Sequence, residues 1–447
     1  MHFPRPSIVC VATCLGSALL GAGCASGPGA AEKASRDQLS VTTAQYRPDG
    51  QRPALPDLGP ESPLVDFVRY AILNHPAVEA AFHDWRAAVA SIPAARAQPD
   101  PRLTFEADIA EKLMTFMPGL MFDFMNSGKR AAMAGEMSAT SDVAYRNYLA
   151  QIQRTAVEMR RTWVELVYTD EALELHTSML NAFDVATETA GADYITGRGM
   201  ASLEAQVRLR NQAGMHHTEH HATAQRRRAA RARFKAALGM SQDAPNPPWP
   251  VARIEASTLP GRDELWQQIL HANPDLAVMR AMVEMSVASV AVAERAGKPD
   301  FAVGAMVDLK ASPLMVRPTG SVSLPIWREK ITAGIDAARA RHDAALARIS
   351  AEEVMLAAEL AQMLYMVHGA DEMLAYIDET ALPTLDLLLE TAAAGYQSGM
   401  AGATMVAETR AMNLEMQGRR LDALRERESA VTELQLLIGG AKPVAAP

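Results

Sequence analysis

The feature that most constrains the fold of this chain of 447 residues is an internal duplication of its sequence. Short landmarks of the first half recur in the same order about 200 residues later. The pairs are NHP at 74–76 with ANP at 272–274, AQPDPRLTFEADI from 97 with GKPDFAVGAMVDL from 297, SGKRAA from 127 with WREKITA from 327, YITG from 194 with YQSG from 396, and AALG ending at 239 with LLIG ending at 439. This period is too long for a solenoid repeat, so the sequence predicts two copies of one large half.

Each half carries the same order of predicted elements. A helix comes first, short β segments follow, and a very long helix, a glycine turn and a return helix complete the half. The predicted bounds are 62–97 and 262–296 for the first helix and 128–193 and 328–395 for the long helix. Breaks are expected at Pro93 and Pro274, and a kink at Pro383. At 1.5 Å per residue the long helix would span about 100 Å, which requires a coiled bundle or a helical tube.

The β segments of both halves alternate apolar residues with polar or small ones. The apolar positions are Leu103, Phe105, Ala107, Ile109, Leu120, Phe122 and Phe124 in the first half, and Phe301, Val303, Ala305, Val307, Leu309, Val322, Leu324 and Ile326 in the second. Such alternation suits a membrane barrel with lipid outside, or a soluble hairpin that covers a core. Four strands cannot close a barrel, and open sheet edges are not tolerated in lipid, so a barrel would need about twelve strands from three chains.

The N-terminus has the pattern of a bacterial export signal. One charged residue, Arg5, precedes an uncharged run over 7–23 that is too short for a spanning helix. The end LLGAGC resembles a lipobox, which predicts cleavage before Cys24 and acylation of its thiol; an ordinary signal peptide is the alternative. The residue after the cysteine is Ala25 rather than Asp, which resembles the pattern of bacterial lipoproteins that are sorted to the outer membrane. Removal of 1–23 would leave Cys24 as the only cysteine, so we expect no disulfide.

Composition narrows the class further. Ala, Leu, Glu and Arg dominate and aromatic residues make up 5%, which predicts a mainly α fold with a small β part. The formal charge of −9 argues against nucleic acid as a partner. No uncharged apolar run of eighteen residues follows the signal, so a membrane role would depend on strands or on the lipid. We find no glycine-rich phosphate loop, nucleophile elbow or cysteine metal motif, so no enzyme is expected.

The duplicated landmarks together resemble the TolC-like outer-membrane efflux proteins over essentially the whole mature chain. The residues that carry the resemblance are the helix starts at 74–76 and 273–274, the Pro-Asp pairs at 99–100 and 299–300, FMNSGKRAA from 124, and the turn segments YITG…SLEAQV and YQSGMAGATMVAE. The resemblance implies a homotrimer with a twelve-stranded outer-membrane β-barrel and a long periplasmic helical tube. It also implies a periplasmic membrane fusion (adaptor) protein and an inner-membrane pump of the RND type as partners.

The resemblance also divides the chain and suggests its function. The expected parts are a signal peptide (1–23), a lipidated flexible tether (24–60), a first repeat (61–240), an equatorial linker (241–260), a second repeat (261–440) and a disordered tail (441–447). We expect an exit channel of a tripartite efflux system with no cofactor beyond the lipid on Cys24. The compact strand loops and NSGKR resemble the heavy-metal branch, for which Cu or Ag would be the substrate. The alternatives are a drug or solvent duct and a lipid-anchored periplasmic coiled-coil scaffold.

In this family the two helical turns form the periplasmic tip, which meets the adaptor and gates the channel. The matching positions here are Tyr194, Gly197, Arg198, Gly199, Tyr396, Gly399 and Glu408. A sharp helix reversal needs positive φ, which glycine adopts at low cost. Ala401 and Met405 stand where the family usually has Arg and Asp, which puts the familiar Tyr–Arg–Asp latch in doubt. The alternatives are helix-end packing for Tyr396, a solvated carboxylate for Glu408 and a solvated Arg198.

The segment GMHHTEHH at 214–221 holds four histidines on the first return helix. His216 with His220, and His217 with His221, have the i,i+4 spacing that brings two imidazoles to one ion. The four cover too wide an arc for one ion, so a tight site needs a third ligand from Glu204, another helix or another subunit. The alternative is a solvated basic helix face. The 25 methionines could add thioethers for Cu(I) or Ag(I), although methionine is also a common core filler.

Overall fold

The structure is a computed structural model that describes residues 27–110, 113–196, 202–254, 256–309 and 313–439. Several predicted features lie outside these ranges. They are the signal peptide (1–23), Cys24, the turn residues Gly197, Arg198 and Gly199, and the tail (441–447).

The predicted fold class is confirmed: the chain is mainly helical with four strands. The helices are α1 (Ala30–Tyr46), α2 (Leu64–Asn74), α3 (Pro76–Arg96), α4 (Ser127–Thr196), α5 (Leu203–Ala237), α6 (Arg262–Ala272), α7 (Pro274–Arg295), α8 (Arg328–Tyr376), α9 (Leu382–Gln397) and α10 (Ala403–Leu437). The strands are β1 (Arg102–Ala110), β2 (Leu113–Phe124), β3 (Asp300–Asp308) and β4 (Met315–Ser323). The order α2–α3–β1–β2–α4–α5 is repeated by α6–α7–β3–β4–α8–α9–α10, so the internal duplication extends to the fold.

Two units divide the chain. The first, which we call the sheet unit, consists of Met1–Gly50, Ala81–Asn147 and Val278–Ser350 and contains all four strands. The second, the hairpin unit, consists of Gln51–Ala80, Tyr148–Ala277 and Ala351–Pro447. It contains the return helices α5 and α10 and both glycine turns.

The first helix of each half breaks at its Asn–Pro motif. His75 and Asn273 have extended ψ angles of 124° and 127°, as expected for residues that precede proline. The predicted break at Pro93 is wrong, because α3 continues past it to Arg96. Pro93 removes the backbone N–H that would bond to the Val89 carbonyl, yet the helix continues for three more residues.

Each Asn–Pro break is bonded to the end of the return helix of its own half. The Asn74 amide donates to the carbonyl oxygens of Leu238 at 2.8 Å and Gly239 at 3.2 Å. In the second half the Asn273 amide donates to the Leu437 carbonyl at 3.0 Å. The carbonyls at a helix C-terminus have no partner within the helix, so each asparagine satisfies them from the side. The asparagine and glycine landmarks of each half therefore form the same contact, which occurs once in each half.

The glycines in these contacts have no room for a side chain. Gly239 and Gly439 have φ angles of +72° and +80°. A Cβ on Gly239 would lie 2.6 Å from the Cα atom of His75, and one on Gly439 would lie 2.1 Å from the carbonyl oxygen of Ala272. Both the backbone angle and the close approach require glycine.

The expected flexible tether over 24–60 is wrong for residues 30–46, which form α1. This helix packs within the sheet unit, where Tyr46 lies against Phe82 with ring centroids 5.2 Å apart. Glu32 is only 2% exposed and pairs with Arg96 at 3.0 Å. A buried carboxylate is tolerated when it is paired in this way, so these contacts fix the helix in place.

The long helices differ between the halves. The first, α4, runs for 70 residues without a break. The second is interrupted by a π-helical turn at Ile377–Ala381, which ends two residues before Pro383, where the sequence predicts a kink. Three polar contacts join this region to α10: Arg427 to Asp371 at 2.6 Å, Arg420 to Asp378 at 2.6 Å and Asn413 to Asp386 at 2.7 Å. The three partners on α10 follow one another at intervals of seven residues, whereas the aspartates lie seven and then eight residues apart. The π turn accommodates the one extra residue between Asp378 and Asp386.

The predicted equatorial linker, 241–260, has no regular helix or strand in its described part. It is tied to α10 by Glu428, which is 2% exposed. This carboxylate accepts hydrogen bonds from the backbone N–H and the hydroxyl of Ser257, both at 2.8 Å, and from Arg427 at 2.8 Å and Arg160 at 3.2 Å. Four donors make a buried charge tolerable here.

One helical segment, Arg262–Arg295, is long and apolar enough to cross a membrane by length and composition. It comprises α6 and α7, which Asn273 interrupts, and Leu276 is fully buried within the chain. A single segment of this kind is weak evidence of a membrane span, and the break at Asn273 divides it, so we assign no span to it.

Candidate functional site

The four strands form one antiparallel sheet in the order β1-β2-β3-β4. The pairing of β2 with β3 joins the two sequence halves, with Leu120 opposite Ala305. The predicted strands are confirmed with shifted ends: β2 begins at Leu113, before the predicted segment, and β4 ends at Ser323. The strand positions proposed for Leu324 and Ile326 are therefore wrong.

One face of this sheet is apolar and exposed. The register places the large apolar side chains of all four strands on it, with exposed fractions from 37% to 64%. These residues are Leu103, Phe105, Phe116, Leu120, Phe124, Phe301, Val303, Val316 and Val322. A soluble hairpin would bury this face on its own core, and this chain leaves it open. An apolar patch that spans a whole sheet indicates contact with lipid or with another chain.

The opposite face of the sheet carries polar and small side chains together with several methionines. It carries two ion pairs, Arg102 with Asp123 at 2.6 Å and Arg317 with Asp308 at 3.5 Å. Strands that alternate apolar-out and polar-in are those of a membrane barrel with a wet interior. The two outer strands, β1 and β4, each leave one edge without a partner strand in the described chain.

Two landmarks of the family resemblance meet at the base of the sheet. The carboxylate of Asp300, from the second Pro-Asp pair, accepts hydrogen bonds from the backbone N–H of Asn126 at 2.9 Å and from Lys129 Nζ at 2.6 Å. The NSGKR segment and the Pro-Asp pair thus fix the start of α4 to the start of β3.

The second glycine turn has the predicted conformation. Gly399 has a φ angle of +75° and follows α9 directly. The Met400 N–H donates to the Gly395 carbonyl at 2.9 Å, and the Gly399 N–H donates to the Tyr396 carbonyl at 3.1 Å, as in a Schellman-type helix end. In the first turn, Ser202 caps α5 through the Ala205 N–H at 3.1 Å.

Tyr396 lies at the edge of a cavity of about 400 Å³ close to this turn. The cavity is also lined by Asn181, Val185, Thr189 and Arg410, from α4 and α10. Tyr194, in the last turn of α4, is half exposed. The structure thus places the described tip residues at helix ends that remain accessible to a partner.

Glu408 has a partner that sequence reasoning missed. Its carboxylate lies 3.1 Å from the guanidinium of Arg208, which is 53% exposed. The pair joins α10 to α5, the two helices that follow the glycine turns. Arg208 carries no motif, and only the packing of the two return helices brings it to Glu408. The alternative of a purely solvated carboxylate is therefore wrong.

The four histidines of the cluster separate into an inward and an outward pair. The side chain of His216 is 14% exposed and stacks on Phe183 with ring centroids 4.7 Å apart. His220, one turn further, is also half-buried, whereas His217 and His221 are exposed. His217 Nε2 lies 3.8 Å from a carboxylate oxygen of Asp184. The outward pair therefore agrees with a solvated helix face, and the inward pair does not.

A fifth histidine, His176 on α4, faces the inward pair. Burial lowers the pKa of His176, and charge on His216 or His220 lowers it further, while Glu219 opposes the shift. Sequence reasoning missed this residue because it lies about 40 residues before the cluster. The sequence did contain a signal: His176 and His220 lie equally far before and after the first glycine turn, so an antiparallel helical hairpin places them side by side. Among the described residues, no three His, Cys, Asp or Glu side chains are arranged to hold a metal ion.

Comparison with known proteins agrees with this architecture. Residues 265–440 match the outer membrane efflux protein family. The fold is similar to CusC (16% identity, TM-score 0.72, 88% of this chain and 98% of that one). It is also similar to VceC from Vibrio cholerae (16%, 0.68, 85% and 96%) and to the open state of MtrE from Neisseria gonorrhoeae (16%, 0.68, 84% and 89%). No curated protein sequence gives a significant match.

The family match covers the second half, where α6 to α10 and two strands lie, and the fold match extends over both halves. These relatives are channels rather than enzymes, which agrees with the lack of catalytic motifs in the sequence. Residues 265–440 therefore match the model of the outer membrane efflux protein family, and the whole chain has the fold of outer-membrane channels such as CusC and MtrE.

Proposed function

We propose that this protein is the outer-membrane exit channel of a tripartite export system. The observation that carries the proposal is the exposed apolar face of the four-stranded sheet, on a chain with the fold of outer-membrane channels. In this proposal the apolar face contacts lipid, and the polar face with its two ion pairs lines water.

A homotrimer follows from the free edges of the sheet. Unpaired backbone groups cost several kcal/mol each in lipid, so β1 and β4 must pair with strands of other copies. Three copies would supply about twelve strands, and the closed barrel would leave no edge. The apolar face argues against a periplasmic scaffold, since a scaffold would leave this face exposed to water.

The tip is the proposed meeting point with a periplasmic adaptor, and an inner-membrane pump of the RND type would supply the energy. The support is local: Tyr194, Tyr396 and Gly399 lie at exposed helix ends. Gly197, Arg198 and Gly199 belong to the proposed tip by their place in the sequence. The Arg208–Glu408 pair would hold the two return helices together in place of the family's usual latch.

For the substrate we propose soft heavy-metal ions, Cu(I) or Ag(I) among them. The inward histidines and the methionines beside them favour this class over drugs or solvents. We further propose that acylated Cys24 anchors the chain to the outer membrane.

Membrane fractionation of a Cys24→Ser variant tests the channel proposal. Loss of the acyl group should leave the protein in the outer-membrane fraction, because the barrel alone would hold it there. Wild type and a His217→Ala variant, changed on an exposed helix face, serve as controls. Complete release of Cys24→Ser into the soluble periplasmic fraction would instead support the lipid-anchored scaffold.

A further inference from the structure

A second cavity in the hairpin unit brings soft metal-binding side chains together. Its volume is about 390 Å³, and it lies between α4, α5 and α10. The lining includes His176 and Met179 from α4 and Met215, His216 and Glu219 from α5. Two imidazoles and two thioethers thus line one partly open cavity, in which Met179 is buried and Met215 is 54% exposed.

His176 has a free ring nitrogen at this cavity. Its Nδ1 atom is buried and has no hydrogen-bond partner among the described residues. A buried polar atom without a partner costs about 1–3 kcal/mol, so its presence calls for an explanation.

A hydrogen bond and a ring contact fix the orientation of the His216 side chain. Its Nδ1 atom lies 2.9 Å from a carboxylate oxygen of Glu219, and its ring is held against Phe183. When Nδ1–H donates to a carboxylate, the neutral ring presents Nε2 as the ligand atom, as in many metal-bound histidines.

We infer that this cavity binds one soft monovalent ion, Cu(I) or Ag(I), through His176, His216 and a thioether of Met179 or Met215. Such ions accept two or three ligands, so two imidazoles and one thioether suffice to bind one. Thioethers select Cu(I) over Zn²⁺ and other divalent ions. The inference deepens and rests on the proposed export of metal ions, since the cavity would lie along the helical part of the exit path.

Silver titration of the purified full-length protein in detergent tests the inference, because Ag⁺ needs no reductant. We expect one site per chain in the wild type. The double variant His176→Ala/His216→Ala should bind Ag⁺ at least about tenfold more weakly. The matched control is His217→Ala/His221→Ala on the outward face of the same helix, which should keep the wild-type affinity.

Volume-conserving variants separate ligand loss from misfolding. Met179→Leu/Met215→Leu keeps the packing and removes both sulfur atoms, and it should also weaken Ag⁺ binding. Equal affinity in all variants, or an equal loss in the outward control, would overturn the site. Preference for Zn²⁺ over Ag⁺ would overturn the assigned ion class.

Conductance in lipid bilayers distinguishes this inference from the proposed function. A protein that conducts but does not bind Ag⁺ would refute the metal site alone. A protein that binds Ag⁺ with the expected variant pattern but forms no pore would refute the channel alone.

Discussion

At the scale of single residues, three polar side chains of the hairpin unit, Glu428, Asn74 and Asn273, have specific partners far away in the sequence. Glu428 receives four hydrogen bonds, and the amides of Asn74 and Asn273 satisfy helix-terminal carbonyls. These contacts could not be predicted from the sequence, because Glu428 and Ser257 are 171 residues apart and neither carries a motif. His176 and Arg208 were missed for the same reason.

Replacing Glu428 should destabilise the protein strongly. Glu428→Ala leaves buried charge on Arg427 and an unpaired backbone N–H at Ser257, so we expect a loss of about 3 kcal/mol. The control is Glu415→Ala, whose carboxylate pairs with Arg419 at the surface and should cost less than about 1 kcal/mol. Guanidinium unfolding in detergent measures both, and equal midpoints would contradict the role given to Glu428.

His75 should make stability depend on pH. Burial lowers the pKa of His75 below 6.5, and its Nδ1 atom accepts a hydrogen bond from the Ala77 N–H at 3.1 Å. The unfolded chain therefore binds more protons below pH 6.5, and stability should fall as the pH drops through that value towards the folded pKa. His75→Gln should reduce the slope of the unfolding midpoint between pH 7.5 and 5, whereas His271→Gln, at an exposed site, should not. An unchanged slope in both variants would contradict this.

At the scale of elements, strands and helices were predictable to different degrees. Alternation in 103–109 and 301–309 gave the strands because period-two patterning survives in both halves. The Asn–Pro landmarks marked real helix breaks, whereas α3 continues past Pro93, where we predicted a break. Pro383 indicated an irregular helix, but the π turn depends on contacts such as Arg420 with Asp378, which only tertiary packing shows.

The two faces of the sheet should respond differently to charge. Val303→Arg places a cation on the apolar face, which costs about 2–4 kcal/mol when that face contacts lipid at mid-membrane. We expect less protein in the outer membrane and more degradation. The control is Ser321→Arg on the polar face, which should insert normally. If both variants insert equally well, the apolar face does not contact lipid.

At the scale of the whole molecule, the central claim is that several copies share one channel. The sequence halves supply two strands each, and their union through β2 and β3 gives a sheet of four with two free edges. The duplication made this count predictable from the sequence. The number of copies sets the number of strands in the closed barrel. Two copies would give eight strands, and side chains fill the interior of a barrel of that size.

Native mass spectrometry of the protein extracted from outer membranes tests this claim most directly. We predict a complex of three copies, each carrying one acyl modification at Cys24, that survives removal of excess detergent. The Cys24→Ser variant should also form a complex of three copies, which lacks the mass of the lipid. A single copy, or a dimer whose eight strands leave no open interior, would contradict the account of the protein as a trimeric export channel.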